Sequence, residues 1–174
     1  MRPSVQRVLL VGGGTLLAFG MVVYVLYGWF GALIGVTIDP RSVQFQRQLE
    51  QIVPGIGSRM FSLSILNQAA LFFQYGFLWL FPNVQWMSID LRPPFPLSLT
   101  SFPHILGAIG YIAVLIGSAG LVLRRSDVWG LLGLCLVCPA LLFVAEFATV
   151  WVQDPFVLYR SYIWAMTIPV LIAI

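Results

Sequence analysis

Long stretches without a charged residue are the feature that most constrains this chain. No Asp, Glu, Lys or Arg occurs between Arg7 and Asp39, between Arg59 and Asp90, or between Arg92 and Arg124. A helix that crosses the hydrocarbon core of a bilayer needs about 20 predominantly apolar residues, because a core about 30 Å thick is covered at 1.5 Å per residue. Each stretch is long enough for such a helix, so the chain is predicted to be embedded in a lipid bilayer.

Five membrane-spanning helices are predicted, joined by short loops. We assign them to residues 8–36, 60–81, 103–123, 128–152 and 162–174, within a single transmembrane domain of residues 1–174. The predicted fold class is therefore all-α, a polytopic integral membrane protein. The last apolar run ends at Ile174 after too few residues to cross. We expect either a short helix that a partner covers or, as the favoured interpretation, a fragment of a longer protein.

A shorter amphipathic helix is predicted over residues 41–53. Asp39 and Pro40 are suited to its N-cap and first turn. Its apolar residues recur at helical spacing among Arg, Gln and Glu, at Phe45, Leu49, Ile52 and Val53. Such a helix either lies in the membrane interface, with its apolar face in lipid, or is an ordinary solvated helix within a loop.

Composition argues against several classes of function. Charged residues make up 9% of the chain, against about a quarter in soluble domains. All nine positive residues are arginines, and they are scattered along the sequence, so no nucleic-acid partner is predicted. Cys135 and Cys138 form a C-x-x-C pair inside an apolar run without a nearby histidine. We interpret the pair as helix packing, and predict neither a metal site nor a cofactor.

Polar residues inside the spans are expected to face other helices rather than lipid. Asn67 and Gln68 lie near the middle of the second span, where amide side chains form contacts between helices. His104 begins the third span, and we interpret it as an interfacial hydrogen-bonding group. Asp90 and Arg92, in the proline-rich loop between these spans, are interpreted as a local ion pair at the membrane surface.

The segment from Glu146 to Trp164 carries the sharpest functional signal. Glu146 interrupts an apolar run, and an unpaired ionised carboxylate is costly there, so it is expected to be neutral, paired or exposed to water. Its nearest candidate partners are Asp154 and Arg160. Arg160 lies between Tyr159 and Tyr162, and a guanidinium in this setting either binds phosphate or anchors the helix end to lipid head groups.

Two segments together resemble a known family. The first is RMFSLSILNQAALFFQY, from Arg59 to Tyr75, followed by LFPNVQWMSID, from Leu80 to Asp90. The second runs from Glu146 through DPFVLYRSY, which ends at Tyr162. They resemble the membrane region of the TMTC-like glycosyltransferases, which are similar to protein O-mannosyltransferases and have the GT-C architecture. The resemblance covers about half of the chain.

This resemblance implies a transferase that uses a polyprenyl-phosphate-linked sugar in the bacterial inner (cytoplasmic) membrane. It makes Arg160 the candidate phosphate ligand, in a polar cavity with Tyr159, Tyr162, Glu146 and Asp154, and gives Asp90 and Arg92 the role of shaping a loop. The catalytic acid of the family lies in an acidic pair after the first span, whereas this chain has only Asp39 there. No catalytic residue is assigned, and the chain is not expected to be catalytic alone.

The alternative is a non-catalytic subunit that binds other membrane protein chains. The glycine-rich helix faces and small loops favour it, and under this interpretation Glu146 and Arg160 contact neighbouring chains or lipid. Membrane orientation stays open. Alternating spans give four arginines on the side of the N-terminus, at Arg2, Arg7, Arg92 and Arg160, and five on the other, and a margin of one does not decide.

Overall fold

The computed structural model describes residues 17, 21, 24–25, 27–29, 31, 34–37, 40–82, 94–150, 152 and 158–174, with the side chains of residues 158 and 159 excepted. The chain divides into two compact units, Met1–Val36 and Thr37–Ile174. In the first unit, the described residues from 17 to 29 are helical. Most of the predicted span over residues 8–36 lies outside the described residues.

The second unit is helical throughout its regular structure, and no strand occurs among its described residues. Its α-helices, which we number α1 to α6, are Pro40–Ile52, Met60–Leu80, His104–Arg124, Val128–Phe143, Tyr162–Ala165 and Ile168–Ala173. Three short 3₁₀ turns accompany them, at Gly57–Arg59, Val144–Phe147 and Leu158–Ser161. The all-α fold class is confirmed for the described part of the chain.

Three helical segments are long and apolar enough to cross a membrane, which identifies an integral membrane protein. They are Gly57–Leu80, His104–Arg124 and Val128–Phe147. Five spans are not confirmed, because the last apolar segment, Tyr162–Ala173, is shorter and turns at Met166 and Thr167 between α5 and α6. The predicted helix over residues 128–152 also differs, since the α-helix ends at Phe143 and the 3₁₀ turn ends at Phe147.

Helix α1 confirms the predicted amphipathic helix, and most of its apolar side packs on protein, while Ile52 is 74% exposed. Leu49 is buried with Met60 and Leu63 of α2, and Phe45 and Val53 lie against the same cluster. The helix is followed by Gly55 with φ +83°, where a side chain would be strained. The Glu50 carboxylate accepts hydrogen bonds from the Gly55 and Gly57 backbone N–H groups, both at 2.7 Å, and so fixes the turn into α2. The predicted Asp39 cap lies outside the described residues.

Helices α3 and α4 form an antiparallel hairpin. The Tyr111 hydroxyl donates to the Ala140 carbonyl at 2.5 Å. Later in α3 and earlier in α4, a Cβ atom on Gly133 would lie 2.8 Å from the Ser118 carbonyl oxygen. Asp127 caps the start of α4 by accepting from the Trp129 N–H at 3.1 Å. Because Gly133 has no side chain, the two helices pack closely at this point.

Helices α2 and α3 run in the same direction, which corrects the alternation assumed for the arginine count. A Cβ atom on Gly107 would lie 2.5 Å from the Ala70 Cα atom, and one on Gly110 would lie 3.1 Å from the Phe73 ring. A step of three residues toward the C-terminus of α3 thus corresponds to a step of three residues toward the C-terminus of α2. In agreement with this direction, Phe95, which precedes α3, packs beside Met60 and Leu63 near the start of α2.

Candidate functional site

The site is built where α4 changes into a 3₁₀ turn. The turn Val144–Phe147 carries Glu146, whose side chain is 22% exposed. Phe143 and Phe147 on either side contact each other and Tyr111 of α3 through their rings. The carboxylate is therefore held on a segment that aromatic packing fixes in place.

A second 3₁₀ turn, Leu158–Ser161, supplies Arg160. The Trp79 indole N–H donates to the Ser161 carbonyl at 2.8 Å, which fastens this turn to α2. On the following helix, the Trp164 indole N–H donates to the Phe72 carbonyl at 3.1 Å. Two tryptophan hydrogen bonds, whose partners are 82 and 92 positions apart in the sequence, thus set the position of the arginine.

Arg160 and Glu146 form a largely buried ion pair. The arginine Nε lies 3.0 Å from the Glu146 Oε2, and the arginine side chain is 2% exposed. The Nε–H bond is not aligned as a hydrogen bond to that oxygen, so this contact is an ion pair by distance. Removing one partner from a buried pair costs about 3–5 kcal/mol, because the other charge loses its compensation.

An aromatic cluster borders the pair. Phe72 makes edge contacts with Tyr111 at 5.1 Å and with Phe143 at 5.3 Å between ring centroids, and it lies 4.8 Å from Trp164. Such offset and edge-on contacts are the favoured arrangements of aromatic rings. The cluster joins α2, α3, α4 and α5 into one core.

The buried face of α2 adds polar side chains. Ser64, Asn67 and Gln68 are 0%, 1% and 0% exposed, which confirms that Asn67 and Gln68 face protein. Within the described part of the chain, neither polar atom of the Asn67 amide has a hydrogen-bond partner. His104 is 7% exposed, and its Nδ1 atom has no hydrogen-bond partner among the described residues.

Of the predicted site residues, the structure brings Glu146 and Arg160 together. Tyr162 is 62% exposed, and its ring lies 6.1 Å from that of Trp79, so it lies at the surface of the described chain. Asp90, Arg92, Asp154 and the Tyr159 side chain lie outside the described residues.

The sequence analysis did not connect Asn67 and His104 with this site. The sequence feature that could have indicated this is the pair Gly107 and Gly110, because small residues let helices approach closely. Their spacing does not reveal which helix approaches α3, whereas the contacts with Ala70 and Phe73 show that it is α2.

Other candidate features offer little chemistry. Cys135 and Cys138 are both free thiols, and no cluster of three His, Cys, Asp or Glu side chains suited to a metal ion occurs among the described residues. Two surface clefts lie along α1, one lined by Arg41, Gln44, Phe45 and Gln48 and one by Val43, Gln46, Arg47, Glu50 and Gly57. Neither is lined by Glu146 or Arg160.

No family of proteins, no curated protein and no solved structure gave a significant match to this chain. The likeness to TMTC-like glycosyltransferases therefore rests on the two sequence segments alone. The ion pair and the side chains around it are the features of the structure that bear on function.

Proposed function

We propose that this chain is the membrane-embedded part of a GT-C-like glycosyltransferase that uses a polyprenyl-phosphate-linked sugar in a bacterial inner membrane. One observation carries the proposal, the buried ion pair of Arg160 and Glu146 at the junction of apolar helices. Ionisable groups in such a setting are expensive to keep and commonly serve function. The sequence resemblance supplies the substrate class.

In this mechanism Arg160 binds the phosphate of the lipid. Its guanidinium suits two oxygens of one phosphate, because its N–H groups form a planar fork. Without substrate, Glu146 neutralises this charge. Because Arg160 is 3% exposed, binding requires the phosphate to replace the carboxylate or the turn Leu158–Ser161 to move. The catalytic base is expected on other polypeptide, so the chain holds the donor and does not transfer the sugar alone.

Binding of farnesyl phosphate by the intact protein in detergent tests this role. Arg160→Lys keeps the positive charge but loses the fork, so we expect about tenfold weaker binding, equivalent to about 1.4 kcal/mol. Arg124→Lys, on an exposed arginine at the end of α3, is the matched control and should bind as the wild type does. Equal affinity of Arg160→Lys and wild type would remove Arg160 from phosphate binding.

The second candidate is a non-catalytic subunit of a larger membrane assembly. A stripe of exposed apolar side chains on α3 favours it, formed by Leu106, Ile109, Ile112, Ile116 and Leu123. Under this proposal the ion pair only ties α5 to the end of α4, and the stripe contacts lipid or another membrane protein chain. Purification from the native membrane separates the two candidates, since a stoichiometric partner chain supports the subunit and co-purified polyprenyl phosphate supports the transferase.

A further inference from the structure

Asn67 and His104 lie level with each other on facing sides of α2 and α3. Gly107 approaches Ala70, and Gly110 approaches Phe73. The two helices are parallel, so three residues before Gly107 is His104 on α3, and three residues before Ala70 is Asn67 on α2. Residues three apart lie on the same side of a helix. The register therefore brings both polar side chains to one interhelical position.

Glu146 lies at the same end of the α3–α4 hairpin. Tyr111 of α3 is bonded to Ala140 of α4, and these helices are antiparallel. On either side of Glu146, the Phe143 ring lies 5.3 Å from that of Phe72 and Val150 is buried in one cluster with Leu63, so Glu146 lies beside the part of α2 that holds Asn67. Asn67, His104 and Glu146 thus form one polar layer that crosses three elements, and Arg160 joins it through the ion pair.

Two members of this layer are buried without a hydrogen-bond partner. Asn67 is 1% exposed and lacks partners for both amide atoms, and His104 is 7% exposed and lacks one for Nδ1. A buried polar group without a partner is costly, so such groups are normally satisfied by protein, water or a ligand. Two of them at one position indicate a site that a hydrogen-bonding group can occupy.

The chemistry of the two side chains identifies that group. Nδ1 of His104 has no partner among the described residues. In a neutral imidazole one ring nitrogen donates and the other accepts, so Nδ1 is an acceptor in the tautomer that carries its proton on Nε2. Asn67 offers an N–H₂ donor. The complement is an O–H group that donates to Nδ1 and accepts from Asn67, whereas a fully ionised phosphate has no proton to donate.

We propose that Asn67 and His104 bind one hydroxyl group between α2 and α3. This hydroxyl belongs either to a sugar on a lipid-linked donor, which rests on the proposed function, or to a bound water molecule, which does not. In the first case, the site holds the sugar at the level where Arg160 and Glu146 hold the phosphate. In the second, the water completes the hydrogen bonding of the core.

The test measures binding of two lipids by the intact protein in detergent. The probes are farnesyl phosphate and farnesyl phosphate that carries mannose, glucose or N-acetylglucosamine. Asn67→Leu removes the amide at similar volume, and His104→Gln keeps a group at the position of Nε2 while it removes Nδ1. If a sugar hydroxyl is bound, both variants bind the sugar-bearing lipid about tenfold more weakly and bind farnesyl phosphate as the wild type does.

The thermal unfolding temperature of the same variants distinguishes the remaining outcomes. If water is bound, neither lipid affinity changes, but each variant unfolds a few degrees lower and the double variant loses less than the sum, because both lose one shared ligand. If the wild type binds neither lipid, the proposed function fails, but the unfolding temperatures still test whether Asn67 and His104 share a bound water molecule. Ser118→Ala, whose hydroxyl bonds Leu115 within α3, is the control. An unchanged or raised unfolding temperature for Asn67→Leu, with unchanged lipid binding, would overturn the proposal, since removal of a dry unpartnered amide relieves its burial cost.

Discussion

At the scale of single residues, the Arg160–Glu146 pair sets what the site can do. Its members are 14 positions apart in sequence, and the carboxylate is 22% exposed while the guanidinium is 2% exposed. The two partners are therefore not equivalent. When its partner is lost, the Glu146 carboxylate is still partly exposed to water, whereas the Arg160 guanidinium is not.

This asymmetry gives a prediction for stability. Glu146→Gln leaves a charged, buried guanidinium and should lower the free energy of unfolding by about 3 kcal/mol. Arg160→Met retains the apolar stem and leaves a carboxylate that is partly exposed to water, so the loss should be smaller. Unfolding in detergent with increasing denaturant measures both, with Arg124→Met as the exposed control. A larger loss for Arg160→Met than for Glu146→Gln would contradict the assignment of burial.

At the scale of elements, the close approach of α2 and α3 depends on glycine at one side of α3. A Cβ atom on Gly107 would lie 2.5 Å from the backbone of α2, whereas one on Gly117 would meet no atom of the neighbouring described residues within 4 Å. The four glycines that give α3 its small surface therefore do different work. Gly107 and Gly110 serve helix packing within the chain, and Gly117 and Gly120 face open space.

The matched pair of Gly107→Leu and Gly117→Leu tests this difference. Gly107→Leu must separate α2 from α3, and overpacking of this kind costs about 1–3 kcal/mol or more. Gly117→Leu adds the same side chain where no neighbour is displaced, so stability should hardly change. The unfolding temperatures of both variants in detergent measure the effect. Equal losses would show that α2 and α3 do not meet at Gly107.

At the scale of the whole unit from Thr37 to Ile174, the parallel arrangement of α2 and α3 fixes which ends share a membrane face. Ser58 precedes α2, Ser98 precedes α3, and Ser126 lies in the turn between α3 and α4, all three exposed. Because α2 and α3 are parallel, Ser58 and Ser98 belong to one end of the helices. Ser126 belongs to the opposite end, since α3 and α4 are antiparallel.

Single cysteines at these serines test the topology. In a background with Cys135 and Cys138 replaced by alanine, Ser58→Cys and Ser98→Cys should react with an impermeant maleimide from the same side of sealed membrane vesicles. Ser126→Cys should react from the other side. Labelling of Ser58→Cys and Ser98→Cys from opposite sides would restore the alternation of spans and contradict the parallel arrangement.

The sequence by itself determined the helices, because hydropathy and charge act locally along the chain. Predicted residues 41–53, 60–81 and 103–123 agree closely with Pro40–Ile52, Met60–Leu80 and His104–Arg124. It also identified Glu146 as a carboxylate that needs compensation, since the cost of burying a charge depends on the apolar run around it. The burial of Asn67 and Gln68 followed from the same rule.

Only the tertiary structure decided how those helices meet. Long apolar runs do not encode which helix is a neighbour or in which direction it runs, since every face of such a run is apolar. The parallel pairing of α2 and α3, the early end of α4 at Phe143 and the choice of Arg160 as the partner of Glu146 come from contacts between distant segments. The register between α2 and α3 likewise exists only after packing, because it is fixed by where Gly107 meets Ala70.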